Sequence, residues 1–202
     1  TFKKLEMGNQ SSKTERKKGP YTKNDFSKLS DQVYFTPEEI NILYKKFKSL
    51  SNSQIADNLI DIHEFQAALG LNSTAFTQRI FAAFDKDGST EIDFFEFIKG
   101  LSALSPKATI EEKAKFCFDV YDIDKNGYIE KDELKNVLSS SLSGNTMIQI
   151  SPEQQISIIN ATFKKMDENG DGQISLEEFT SAAKKNPSIL ACVNLNIESL
   201  LK

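Results

Sequence analysis

Three acidic stretches of twelve residues share one register, and they constrain the fold of this 202-residue chain more than any other feature. They run Asp85–Glu96, Asp122–Glu133 and Asp167–Glu178, each closing on Glu, with Ile92, Ile129 or Ile174 four residues before it. Phe81, Phe118 or Phe163 stands four residues ahead of each stretch, and Phe84, Tyr121 or Met166 immediately ahead. Phe97, Leu134 or Phe179 follows directly. Spacings of three and four put apolar groups on one helical face, so the unit is an amphipathic helix, a polar loop and a second amphipathic helix. A fourth, degenerate copy fits upstream through Phe47, Leu50, Ile60, Glu64 and Phe65, its loop running 14 residues from Ser51 to Glu64. Four such units make two pairs. Thr36-Pro-Glu-Glu39 and Ser151-Pro-Glu-Gln154 are capping boxes with Pro at the first helical position, which marks two helix starts. Asp85 and Asp122 are 37 residues apart, but Asp122 and Asp167 are 45 apart. The extra length around 139–151 is a loosened connector or a plain surface insertion.

Composition narrows the class. With 39% hydrophobic and 27% charged residues the chain can bury a core. No apolar run exceeds five residues, so none is long enough to cross a bilayer or to serve as a secretory segment. Cys117 and Cys192 have neither zinc spacing nor a disulfide framework around them, and a reducing, cytoplasmic compartment is expected. The net charge of −4 hides a split: residues 8–24 carry +4 and residues 25–202 carry −9. An acidic body with a basic arm disfavours nucleic acid as a partner of the body.

The loops match the EF-hand pattern, in which oxygens at positions 1, 3, 5, 7, 9 and 12 surround a hard divalent cation. In the loop at 122–133, Asp122, Asp124 and Asn126 offer side chains, Tyr128 its carbonyl, Glu130 a ninth-position oxygen and Glu133 two oxygens. Gly127 takes the sharp turn at position 6. The loop at 167–178 repeats the set with Asp167, Asn169, Asp171, the Gln173 carbonyl and Glu178, and Gly172 at the turn. Asp85, Asp87, Ser89, the Glu91 carbonyl and Glu96 fill the loop at 85–96, with Asp93 at position 9. There Thr90 holds the turn position and the glycine stands at Gly88, so weaker binding is expected. The first loop has only Ser51, Ser53 and Asp57 near its early ligand positions, although Glu64 closes it. It binds through backbone carbonyls or serves only to pair with the second loop. The expected fold is therefore all-α: two EF-hand pairs at 33–104 and 105–186, with short antiparallel β links between paired loops and a C-terminal helix. Two to three Ca2+ sites are expected.

The body resembles the calcineurin B/neuronal calcium sensor superfamily, and within it most nearly the plant-type calcineurin B-like sensors. The likeness lies in the 14-residue first loop, in Leu43-Tyr-Lys-Lys-Phe-Lys-Ser-Leu50, in Asp61-Ile-His-Glu-Phe-Gln66, in Glu112-Lys-Ala-Lys-Phe-Cys-Phe-Asp-Val-Tyr-Asp122 and in Asn186-Pro-Ser-Ile-Leu190. The Phe-Pro-Ser-Phe ending of many plant-type members is missing. The resemblance implies a calcium sensor whose helix pairs open an apolar groove around an amphipathic helix of a partner. That partner is a Ser/Thr kinase regulatory segment in the plant-type members, or the catalytic subunit of a Ser/Thr phosphatase in calcineurin B. A calcium buffer without a partner is the further alternative. No nucleophile–base arrangement is evident, and the single histidine, His63, reads as a solvent-facing helix start, so enzymatic activity is not expected.

The termini carry separate expectations. Met7-Gly-Asn-Gln-Ser-Ser12 fits the N-myristoylation pattern with Gly8 as acceptor, and Lys13, Arg16, Lys17 and Lys18 supply the basic second signal for a membrane surface. Residues 1–6 are then upstream of the processed start, 7–32 form a basic arm, and the protein is cytoplasmic and reversibly membrane-associated. The apolar tail at 187–202 either covers the partner groove or packs permanently on the second pair.

Overall fold

The residue three before each closing glutamate starts a helix. Asp93 accepts a hydrogen bond from the Glu96 N–H while the Glu96 carboxylate accepts one from the Asp93 N–H, and Ser175 and Glu178 repeat the exchange. Asp61 and Glu64 do the same in the first unit. This reciprocal cap satisfies two backbone donors that a helix start leaves unpaired. The ninth and twelfth loop positions thus build the helix that leaves the loop.

The computed structural model describes residues 21–52, 57–69, 74–143 and 151–193. Helix α1 spans Lys23–Ser30, α2 Pro37–Leu50, α3 Ile62–Leu69, α4 Thr74–Phe84, α5 Phe94–Ala103, α6 Ile110–Tyr121, α7 Lys131–Ser143, α8 Pro152–Met166 and α9 Leu176–Lys185. A two-stranded sheet pairs β1 (Tyr128–Ile129) with β2 (Ile174–Ser175), and a 3-10 helix covers Pro187–Val193. The capping boxes at Thr36 and Ser151 are formed, each with Pro in the first turn. The expected fold class holds.

The repeated isoleucines make the pairs. Ile129 and Ile174 are antiparallel partners joining the third and fourth loops. Ile60 and Ile92 exchange both backbone hydrogen bonds at 2.9 Å and join the first and second. All four side chains are fully buried, so each link also anchors the core of its pair. Phe65 meets Phe81 and Phe84 in the first pair, and Phe118 meets Phe179 in the second. The flanking phenylalanines are core residues.

The two pairs also touch. Phe84, the last residue before the second loop, stands edge-on to Phe116 of α6 with ring centroids 5.3 Å apart. Beside it, Lys86 Nζ reaches Asp119 Oδ2 at 2.6 Å, while Lys115 takes the other oxygen at the same distance. The α1–α2 link is tied down as well: the Tyr34 N–H donates to Ser102 Oγ at 2.9 Å and its hydroxyl to Glu112 at 2.8 Å.

One boundary differs from the sequence expectation. The end of the arm at 7–32 is a helix, α1, with Phe26 and Leu29 buried against α2. Thr22 and Asp25 form its capping box, and the rings of Tyr21 and Phe26 stand edge-on to Tyr44 and Phe94. Burial and the nearby carboxylate of Asp93 push the Tyr21 hydroxyl pKa up. At the other end, the 3-10 helix packs on α6 and α9, with Ile189 and Leu190 half-buried and the Leu190 carbonyl 3.9 Å from Cys117 Sγ. The start of the tail therefore rests on the second pair. Gly8, the basic residues up to 20, loop residues 53–56, most of the connector at 139–151 and the tail beyond 193 lie outside the described residues.

Candidate metal centres

A polar loop between two helices has many backbone donors and must aim them somewhere. In these loops they converge on two carboxylates. Glu96 Oε1 accepts from the N–H groups of Lys86 (2.9 Å) and Asp87 (3.3 Å), and its Oε2 from Asp93 (3.1 Å). Glu133 repeats the clamp with Ile123 (2.7 Å), Asp124 (3.3 Å) and Glu130 (2.9 Å). Glu178 does so with Glu168 (3.1 Å), Asn169 (3.2 Å) and Ser175 (2.9 Å). Asp85 accepts from Ser89 and Thr90, and Asp122 from Asn126 and Gly127, at 2.8–3.1 Å. Each loop is thus wound around its own first and last acids.

Winding gathers negative charge. Asp85, Asp87 and Glu96 bring carboxylate oxygens within 4.8 Å of one another, as do Asp122, Asp124 and Glu133. The fourth loop has Asn169 in third place and does not gather three carboxylates within that distance. There Asn169 Nδ2 donates to Asp171 Oδ2 at 2.9 Å, and Asp167 accepts from Gly170 and Gly172. The side chains at the fifth position are bonded to the backbone of the seventh. Ser89 Oγ donates to the Glu91 carbonyl at 2.9 Å, Asn126 accepts from the Tyr128 N–H at 2.9 Å, and Asp171 from the Gln173 N–H at 2.9 Å.

Burial makes these clusters costly. It pushes the Asp122 carboxyl up, and the charges of Glu133 and Asp124 add to that, while N–H donors from Gly127 and Asn126 oppose it. Burial likewise raises Glu96, against hydrogen bonds from Asp93 and Asp87. Glu178 goes the other way, lowered first by the Ser175 N–H. Half-buried carboxylates crowded together need a compensating charge, and a hard divalent cation with oxygen preference supplies it.

The turn has a finer requirement than one glycine. Position 6 is left-handed in all three loops: Thr90 at φ +71°, Gly127 at +91° and Gly172 at +87°. Position 4 is left-handed too, at Gly88 (+71°), Lys125 (+59°) and Gly170 (+75°). Gly88 is therefore not a displaced turn glycine; it fills a second left-handed position, and Thr90 still carries the strain expected of it. A β-branched residue held there costs on the order of 1–2 kcal/mol. Thr90→Gly is expected to tighten binding at the second loop by about tenfold. Calorimetric titration of the variant against the wild type checks this, and an unchanged constant would show that Thr90 is not strained.

The first loop keeps the closing half only. Asn58, six residues before Glu64 as Thr90 is before Glu96, sits at φ +62°, a conformation asparagine tolerates. Glu64 is buried, and Ser51 in first place is fully buried with no hydrogen-bond partner for its hydroxyl among the described residues. Its link to the second loop through Ile60 is formed. His63 is exposed on the first turn of α3.

Two helix–loop–helix pairs, each joined loop to loop and holding acid rings at fixed positions, define an EF-hand protein. The description "EF-hand domain pair" matches residues 111–184. The calcineurin B subunit of Candida glabrata is 38% identical over 76% of this chain and 85% of its own length. Its counterpart in Schizosaccharomyces pombe is 36% identical over the same shares, and the type 2 calcineurin B subunit of Bos taurus is 34% identical over 75% and 85%. The chain belongs to the calcineurin B family, and it binds Ca2+. The expected plant-type character is not what these relatives' names carry; each is named a calcineurin B subunit.

Proposed function

We propose that this chain is the Ca2+-sensing B subunit of a calcineurin-type Ser/Thr phosphatase, holding an amphipathic helix of the catalytic subunit. The observation that carries this reading is the 34–38% identity to proteins named as calcineurin B subunits, along 85% of their length. The ligands are Asp85, Asp87, Ser89, the Glu91 carbonyl and Glu96 in the second loop, and Asp122, Asp124, Asn126, the Tyr128 carbonyl and Glu133 in the third. Asp167, Asn169, Asp171, the Gln173 carbonyl and Glu178 serve the fourth. Ca2+ supplies the positive charge that lets these acids stay ionised and close together. The chain's own part is to fix the loop backbone through the Glu clamps and to pass loop closure to the helices those glutamates cap. A regulatory role, with no chemistry of its own, follows from acids committed to metal.

A second reading, regulation of a Ser/Thr kinase, is favoured by the 14-residue first loop and by the stretches at 43–50, 61–66, 112–122 and 186–190. Full-length chain titrated with two labelled helices, with and without calcium, separates them. One helix is the segment of a phosphatase catalytic chain that holds its regulatory partner, and the other is a plant-type kinase regulatory segment. Tighter calcium-dependent binding of the phosphatase helix is expected; preference for the kinase segment would reverse the reading.

Membrane attachment belongs to the same proposal and rests on the Gly8–Ser12 spacing and the basic run behind it. Acylation at Gly8 requires removal of everything before it, and one acyl chain plus four basic residues makes a reversible anchor. Mass spectrometry of protein from its own cells is expected to show an acylated Gly8 at the N-terminus. An unmodified Gly8 there would end this part of the reading.

A further inference from the structure

Helix α5 has two apolar faces. Phe94, Phe97, Ile98 and Leu101 are buried in the first pair, but Phe95 and Ala103 on the outer side are only partly covered. That outer side forms one wall of an open groove of about 1300 Å³, whose other walls come from α1 and α6 and whose end reaches the second loop. Tyr21, Phe95 and Ala103 supply its accessible apolar surface, with the buried Leu29, Phe84 and Phe116 packed behind them. With α5 from the first pair and α6 from the second, it lies between the pairs and not inside either one.

Its charge is one-sided. Seven carboxylates and four lysines line it, and one of the seven, Glu111, is paired with Lys184 at 2.7 Å, so six acids face four lysines. Two of those lysines, Lys86 and Lys115, share the single carboxylate of Asp119 at 2.6 Å each. A third, Lys99, lies 4.2 Å from the centre of the Phe95 ring, so the main aromatic of this wall already accepts a cation on its face. An acidic rim around an apolar floor repels phosphate-bearing partners and attracts cations that carry apolar mass.

We propose that this groove docks a basic peptide segment of a protein partner, with an aliphatic or aromatic anchor between Phe95 and Tyr21 and Lys or Arg against the rim. The second loop gives it a sign. Asp87 and Glu96 belong both to the groove wall and to the acid ring of that loop. A divalent cation held there removes two negative charges from the rim, so docking weakens on calcium loading. Clamping of a phosphatase helix has the opposite dependence, which keeps the two readings separable.

The test uses the full chain, isotope-labelled for NMR, and a twelve-residue synthetic peptide of lysine, leucine and phenylalanine beside a twin with glutamate for lysine. Shifts are expected around Tyr21, Phe95, Lys99 and Ala103, with the basic peptide binding several-fold tighter in EGTA than in calcium. Affinity is expected to fall about tenfold from 0.05 to 0.5 M salt. Lys99→Glu is expected to tighten binding about fivefold, a gain that misfolding cannot mimic. Equal binding of the acidic twin, or no gain in Lys99→Glu, would overturn the proposal. Binding that needs calcium and shifts the helix-pair interiors instead would also overturn it, while leaving the B-subunit reading intact. Conversely, a failed phosphatase-helix titration beside a retained groove signal would sink only the B-subunit reading.

Discussion

Gly100→Ala is expected to destabilise the first EF-hand pair by about 2–4 kcal/mol, among the largest single-residue effects in the protein. A Cβ at Gly100 would stand 2.2 Å from Phe84 Cε1, 2.3 Å from Cδ1 and 3.0 Å from Cγ. Because Cγ is included, a small turn of the ring does not clear the clash. Phe84 cannot move away easily, since it is 1% exposed and faces Phe65 at 5.3 Å and Phe116 at 5.3 Å. Helix propensity favours alanine by about 1 kcal/mol, so sterics must overcome that gain before the net loss shows. For a chain of this size each kcal/mol moves the melting temperature by about 2–4 °C, so a fall of roughly 5–15 °C is expected in EGTA. Phe84→Leu added to Gly100→Ala is expected to restore part of it by making room. An unchanged melting temperature in the single variant would mean that α4 and α5 can separate without loss. Phe84 also stacks on α6, so the clash is expected to loosen the contact between the two pairs and to weaken cation binding at the second loop.

The repeat makes most of this structure legible in the sequence. Glu at the twelfth place, Ile at the eighth and aromatics at fixed offsets locate four units, their pairing and three polar loops, because each of those features is a local spacing requirement. What stays hidden depends on contacts distant in sequence or on backbone conformation. Gly100 reads as an ordinary helix weak point until Phe84 is seen against it. Helix α1 reads as part of a basic arm because Lys23 and Lys28 dominate its composition, while its buried face is only Phe26 and Leu29. The left-handed fourth position is invisible because Lys125 fills it in one loop and glycine in the other two. The Lys86–Asp119 contact between pairs joins residues 33 positions apart, and nothing local points to it. At the partner level, the long first loop and the names of the relatives point in different directions. A single loop length is a weak guide to a partner, because its two extra residues need not touch that partner at all.

Glu133→Gln is expected to weaken cation binding at the third loop by a hundredfold or more, on the order of 3 kcal/mol, without lowering the stability of the metal-free protein. The two halves of that expectation have different causes. With a cation bound, Glu133 would be a charged partner beside the buried Asp122 and the exposed Asp124, and removing one charge from such a ring would leave the ion undercompensated. Without it, the same three carboxylates lie within 4.8 Å and repel, so losing one charge relieves the ring. The amide keeps one oxygen, enough to hold either the Ile123 and Asp124 N–H groups or that of Glu130, but not both. A lost clamp bond costs about 1 kcal/mol, close to what the relieved repulsion returns. Melting in EGTA should therefore move by no more than a few degrees, while the rise on adding calcium shrinks. Should the metal-free variant melt far below the wild type, Glu133 would be holding the fold rather than serving the ion, and the third loop would lose its place as a metal centre. The same substitution at Glu178 is expected to weaken binding with less relief in the metal-free state, because the fourth loop does not crowd three carboxylates together.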